Sequence, residues 1–312
     1  MYVITNRNLQ KRKSDTQRFG ISFNEEGPGI LRLAEAQKEN GKWKVDVLDD
    51  LVVYEGEEMF ASEEAFLKTQ ARMCEQSRNC LIFCHGFNTS FKGALDAAYQ
   101  IEQAYDLEVA LFTWPSDGKV TNYLSDKQQA LESLLAFDRF FEKLRGYFLK
   151  YRDRNCGQKF SLAMHSMGNF MFENLIESRA YQGETHFLDN IILLSADVNN
   201  PGHETWIDLV KCRNRLFVTI NEEDFALNLS DSKSGEEQKA RLGNTIRNLS
   251  SSNAFYVDFT DAAHVENQHN YFSSKAALKN ARIKQFFQVA FDGGRAERGL
   301  EFNGGAGAYI VT

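Results

Sequence analysis

Phe160-Ser161-Leu162-Ala163-Met164-His165-Ser166-Met167-Gly168-Asn169 is the stretch whose reading decides the fold. An apolar run of strand length passes straight into a serine and then into a helical pattern. The serine therefore falls on a strand-to-helix turn that lifts its hydroxyl above a sheet edge. A nucleophile elbow has this form. It asks for small residues two before and two after the serine, because the strained turn presses those backbones against neighbouring chain. Gly168 meets the second requirement, and Met164 stands at the first. The plainer alternative is an ordinary helix start with Ser166 as its N-cap.

A serine hydroxyl is a weak nucleophile at neutral pH, so an elbow needs a base oriented by a carboxylate, in the chain order serine, acid, histidine. After the apolar run 216–220 comes Asn221-Glu222-Glu223-Asp224-Phe225-Ala226-Leu227, which puts Asp224 just past a strand end, where open α/β sheets carry their functional groups. Asp197 follows the run 191–194 in the same way, so chain order leaves both acids open. The longer reach of its loop favours Asp224, with Asp197 as a loop-bracing residue. His264 and His269 both follow the strand 255–259 and precede the last helix, and either is placed to serve as base. An oxyanion needs backbone donors. Leu81-Ile82-Phe83-Cys84-His85-Gly86-Phe87-Asn88 is a strand ending in His-Gly before a helix, so the amides of Phe87 and Met167 are the expected pair. His85, Gly86, Asn88, Trp114 and His165 are expected to line the site, with His85 and His165 as packing and loop-orienting groups rather than metal ligands.

Outward from this centre, residues 1–60 hold short strand-like segments at 2–5, 19–23, 31–36 and 43–48, separated by polar and Gly-Pro-Gly turns. From about residue 63 helical stretches alternate with short apolar runs. Helices are expected at 65–78, 91–105 and from 168, and strands at 80–84, 109–112, 160–164, 191–194, 216–220 and 255–259. Leu131, Leu134, Phe137, Phe141, Leu144 and Phe148 recur at helical spacing, which predicts one long amphipathic helix over 126–150. A last helix is expected over about 274–289. The alternation predicts an α/β fold: a mostly parallel central sheet with helices on both faces. The domain reading is a β-rich extension at 1–60, a main domain at 61–291, and a Gly-rich tail at 292–312, flexible or tightly turning.

Composition narrows the function. With 36 Lys plus Arg against 43 Asp plus Glu, the chain of 312 residues carries a net charge of −7, which argues against a nucleic-acid partner. The one basic cluster, Lys11-Arg12-Lys13, reads as a solvated loop. The longest apolar runs reach about five residues, far below the roughly 18 of a membrane-spanning helix, so no transmembrane segment is expected. No secretion signal is visible. Five scattered cysteines, an odd count, fit a reducing cytoplasm. With no phosphate loop, no Gly-x-Gly-x-x-Gly after a strand and no His-Glu-x-x-His, neither cofactor nor metal is expected. Cys84 reads as a small core residue rather than a thiol nucleophile.

Five segments together carry a resemblance: His85-Gly86-Phe87-Asn88, residues 111–118 (Leu-Phe-Thr-Trp-Pro-Ser-Asp-Gly), His165-Ser166-Met167-Gly168-Asn169, Asp224-Phe225-Ala226-Leu227 and His269-Asn270-Tyr271-Phe272. With the opening Thr5-Asn6-Arg7, they resemble the bacterial α/β-hydrolase family catalogued as a domain of unknown function, over residues 1 to about 290. The resemblance implies an α/β-hydrolase fold with nucleophile Ser166, base His269 and acid Asp224, and it names no substrate. The expectation is a cytoplasmic serine hydrolase that cleaves a carboxylic ester, or a thioester or amide, through an acyl-enzyme. Its substrate would be a small-molecule or lipid ester. The alternative is a catalytically silent hydrolase fold used for binding or assembly, with Met164 as its hint and the Gly-rich tail as a docking segment.

Overall fold

Short apolar runs bounded by turn formers build the strands, and polar residues at their ends set where function can sit. The computed structural model describes residues 1–232 and 240–312. The chain divides into two compact units, Met1–Lys159 and Phe160–Thr312.

The first unit contains β1 (Tyr2–Thr5), β2 (Arg7–Leu9), β3 (Phe19–Phe23), β4 (Arg32–Glu39), β5 (Lys42–Val47), β6 (Leu51–Tyr54), β7 (Glu57–Phe60), α1 (Ala61–Gln76), β8 (Cys80–Cys84), α2 (Phe91–Tyr105), β9 (Glu108–Thr113), α3 (Tyr123–Glu132) and α4 (Leu134–Lys150). Its strand order is β8-β9-β1-β4-β5. β8, β9 and β1 run parallel, whereas β4 and β5 add antiparallel. The opening strand thus lies beside β9, with Thr5 opposite Thr113. Every residue of β8 is buried, as a strand covered on both faces requires. α2 is capped by Ser90, whose hydroxyl accepts from the Gly93 amide at 3.2 Å. Lys11, Arg12 and Lys13 are exposed, as a solvated loop would be.

The single helix expected over 126–150 is two helices. The aromatic stripe packs as the spacing requires, with Phe137 and Phe140 against Phe112 of β9 at 4.8 and 5.7 Å between ring centres. The ladder breaks at Ser133, whose hydroxyl bonds back to the Gln129 carbonyl at 2.8 Å and accepts from the Asn6 side chain at 3.1 Å. Asn6 is far away in sequence, so periodicity carries no trace of the break.

The cysteine reading also misses a pair. Phe66 of α1 packs on Tyr147 and Phe148 of α4, and in that packing Cys74 and Cys156 form a disulfide across 82 residues. Closing a loop of that length contributes on the order of 4 kcal/mol by chain-entropy reasoning. Cys156→Ser should therefore lower Tm by roughly 10 °C, and so should reductant acting on the wild type. A Tm that neither change moves would contradict the bond.

The second unit contains β10 (Phe160–His165), α5 (Gly168–Glu177), β11 (Asn190–Leu194), α6 (Glu204–Ile207), β12 (Arg215–Ile220), α7 (Phe225–Ser232), β13 (Ala254–Asp258), α8 (Ala281–Phe291), β14 (Glu301–Asn303) and β15 (Ala308–Ile310). The order is β14-β15-β13-β12-β11-β10, all parallel except edge strand β14. Phe286 and Phe287 of α8 pack on Phe217 and Phe259. α8 starts later than its helix-forming residues suggest, because the Asn280 side chain accepts from the amides of Arg282 and Ile283 and caps it there. The Gly-rich end contains a hairpin of β14 and β15. β15 pairs with β13, and Gly299 and Gly307 hold the left-handed turns around it.

Candidate active site

All three residues expected to do chemistry lie in the second unit, in the segments that follow the carboxyl ends of the parallel strands β10, β12 and β13. At the end of β10 the chain turns sharply. Ser166 has φ +53°, in the left-handed region that a non-glycine residue adopts only at a cost. Its amide donates to the Leu194 carbonyl at 3.0 Å. The buried Asn169 side-chain amide is shared among the carbonyls of Met164, Ser166 and Leu194 at 2.9 to 3.3 Å, tying the turn together from below. α5 begins without a side-chain cap, so Ser166 is not simply a helix N-cap. Met164 is fully buried in β10, opposite Leu193.

Beyond β12, Asp224 has no exposed surface. Its Oδ1 accepts from the amides of Ala226 and Leu227 at 3.0 and 3.1 Å, and its Oδ2 lies 2.7 Å from His269 Nδ1. A carboxylate oxygen accepts, so Nδ1 is the donor of this pair, and in the neutral imidazole that arrangement puts the lone pair on Nε2. The His165 ring approaches His269, with centres 4.7 Å apart and the planes tilted by 51°, and Phe272 also packs on His165 at 5.1 Å between centres.

The competing candidates are placed otherwise. Asp197 is buried in an ion pair with Arg241 at 3.2 Å and accepts from Ser230 at 2.6 Å, while Arg241 also holds Asn199. His264 lies in an exposed turn with φ +72°, its carbonyl taken by Gln268. Sequence reasoning named both acids but had no sight of Arg241, which engages one of them.

The first unit braces the loop after β8 by itself. His85 is buried against Trp114, whose indole N–H donates to the His85 carbonyl at 3.1 Å. His85 Nδ1 lies 2.8 Å from the Gly86 carbonyl, and Nε2 lies 2.8 Å from the Thr113 hydroxyl. Because Gly86 can only accept and Arg7 Nε can only donate to Thr113, at 3.1 Å, the directions follow. Arg7 donates to Thr113, Thr113 to Nε2, and Nδ1 to Gly86. The Gly86 carbonyl and the Phe87 N–H share one planar peptide, so the first bond orients the second group. Asn88, with φ +57°, donates its amide to Asp126 at 3.2 Å, and Arg7 reaches the Thr89 carbonyl at 2.9 Å. Burial draws the fully buried Arg7 down to about 9, still cationic at neutral pH.

Burial, reinforced by the charge of Arg7, draws His85 down to about 3. Between the ordinary imidazole value of about 6.5 and about 3, the unfolded chain binds a proton that the folded chain refuses. Stability therefore falls as pH drops through that window. His85→Gln should flatten this part of the Tm-against-pH curve. Equal slopes in the two proteins would contradict the neutral His85.

Among the described residues no group of three His, Cys, Asp or Glu side chains is arranged to hold a metal ion. The profile of the family described as "Alpha/beta hydrolase of unknown function (DUF900)" matches residues 60–287. No curated protein matches the chain. Among solved structures, Aspergillus fumigatus lipase B is 11% identical over 72% of this chain and 55% of its own, with a TM-score of 0.39. An uncharacterized protein from Bacillus cereus is 15% identical over 49% of this chain and 46% of its own, with a TM-score of 0.27. Pyrococcus horikoshii acylaminoacyl peptidase is 10% identical over 85% of this chain and 53% of its own, with a TM-score of 0.36. The chain spans about half the length of each of these solved chains.

Proposed function

The chain belongs to the family of α/β hydrolases of unknown function, and we propose that it works there as a serine hydrolase with Ser166 as nucleophile, His269 as base and Asp224 as the acid that orients it. The fold class read from the sequence holds: an α/β-hydrolase fold with a mostly parallel central sheet. The observation that carries the proposal is the 2.7 Å bond between Asp224 and His269 Nδ1, in the same unit as the left-handed turn at Ser166.

In the proposed reaction His269 Nε2 takes the Ser166 proton as Oγ attacks the carbonyl of a carboxylic ester. The imidazolium, stabilised by Asp224, returns the proton to the leaving alcohol, and water then releases the acyl group by the same steps. Thioesters and amides are further substrates of this chemistry. The Met167 amide and, on the sequence pattern, the Phe87 amide are the proposed oxyanion donors. The substrate proposed is a small-molecule or lipid ester. Among the described residues no helix is long and apolar enough to cross a membrane. The cysteine count reads as a cytoplasmic setting, whereas the Cys74–Cys156 bond argues for an oxidising one. Counting free thiols in protein from its native compartment decides between them.

A fluorophosphonate probe should label the wild type and not Ser166→Ala, which should also lose nearly all turnover across a series of esters. Labelling that survives Ser166→Ala would move the nucleophile to another residue, and a wild type that never labels would replace this reading with a silent fold used for binding. Asp224→Asn should lower turnover by about four powers of ten with Tm little changed, because the imidazole then takes the wrong tautomer. Asp197→Asn should mainly cost stability, by about 3 kcal/mol, since it leaves Arg241 buried without its counter-charge. His269→Ala should lose far more activity than His264→Ala. The reverse order for either pair would reassign the triad.

A further inference from the structure

His269 sits in the segment between β13 and α8, which has no regular structure from residue 259 until a short turn at Ala277–Lys279. A segment of that length does not hold a ring to a fraction of an ångström unaided. It is pinned from the ends of β11 and β12. Asn221 donates through its side chain to the carbonyls of Glu266 and Gln268 at 2.9 and 3.1 Å. The Phe225 amide takes the Asn267 carbonyl at 3.2 Å. The buried Tyr271 phenol donates to Thr219 at 2.8 Å. The anchor on His269 itself is the Ser195 hydroxyl, which donates to the His269 carbonyl at 3.0 Å.

Ser195 has no exposed surface and a φ of +43°. Its amide donates to the Thr219 hydroxyl at 3.3 Å. Glycine takes a left-handed backbone at no steric cost, and a serine does not. Glycine is used immediately beside it, where a Cβ on Gly243 would stand 2.6 Å from the Ser195 carbonyl carbon. A side chain kept at a position that favours none points to work for the hydroxyl.

We infer that Ser195 is a positioning residue for the base: its hydroxyl fixes the main chain of His269 so that Nδ1 stays on Asp224. This rests on the triad proposed above. The left-handed backbone aims the hydroxyl at the carbonyl, so the conformation and the function are one device.

Stability should then follow the backbone, and activity should follow the hydroxyl. Ser195→Gly relieves the strain and removes the hydroxyl. Its Tm should shift by no more than about 4 °C, while kcat and the rate of fluorophosphonate labelling fall about 10²-fold at unchanged KM. Ser195→Thr keeps the hydroxyl on a β-branched residue that resists positive φ, so it should melt earlier and keep kcat within a few-fold below its Tm. If Ser195→Thr does not fold, Ser195→Ala replaces it and should match the labelling loss of the glycine variant. A Ser195→Gly protein that labels at the wild-type rate overturns the inference and leaves the triad standing. A wild type that does not label at Ser166 overturns both.

Discussion

A carboxylate with no exposed surface, hydrogen-bonded to one nitrogen of a partly exposed imidazole, is the constraint on which the second unit's strand ends depend. A buried charge is tolerated only when its lone pairs are used. Asp224 uses them on two amides at the start of α7 and on His269, so one side chain caps a helix and orients a base. That dual role explains why the acid lies immediately before α7 and why the irregular segment carrying His269 must be anchored at successive carbonyls. It also separates Asp224 from Asp197, whose charge is met by Arg241.

Two of the chain's left-handed residues carry side chains that the proposed chemistry uses. Ser166 and Ser195, at the ends of adjacent strands, both adopt left-handed backbone, and each turn is held by a buried side chain: Asn169 of α5 at one, Thr219 of β12 at the other. Conformations that cost on the order of 1 to 3 kcal/mol each persist only when the surroundings over-determine them. The first unit follows the same logic with charge in place of strain. A buried Arg7 spreads its donors over Thr113, Gly20, Ser116 and Thr89, and keeps His85 neutral in a single tautomer.

Much of this was legible in the sequence, for physical reasons. Strands β8 to β13 are short apolar runs because parallel strands are buried on both faces, and their following loops carry the polar residues because strand ends are where backbone emerges. Ser166, Asp224 and His269 stood out for that reason. The choice between Asp224 and Asp197 did not, since it turns on Arg241, a partner brought in by tertiary packing. The break at Ser133 depends on Asn6, and the disulfide joins Cys74 to a cysteine beyond α4. Ser195 was hidden altogether: a serine after an apolar run has no pattern that reveals its φ.

The central claim is the hydrogen bond from His269 Nδ1 to Asp224, and proton NMR observes it without a substrate. An imidazole N–H held on a buried carboxylate resonates far downfield of the amide protons and exchanges slowly. The account predicts such a resonance in the wild type and in Asp197→Asn, and its loss in both Asp224→Asn and His269→Gln. A downfield resonance that persists in Asp224→Asn, or that vanishes in Asp197→Asn while the protein remains folded, would contradict it.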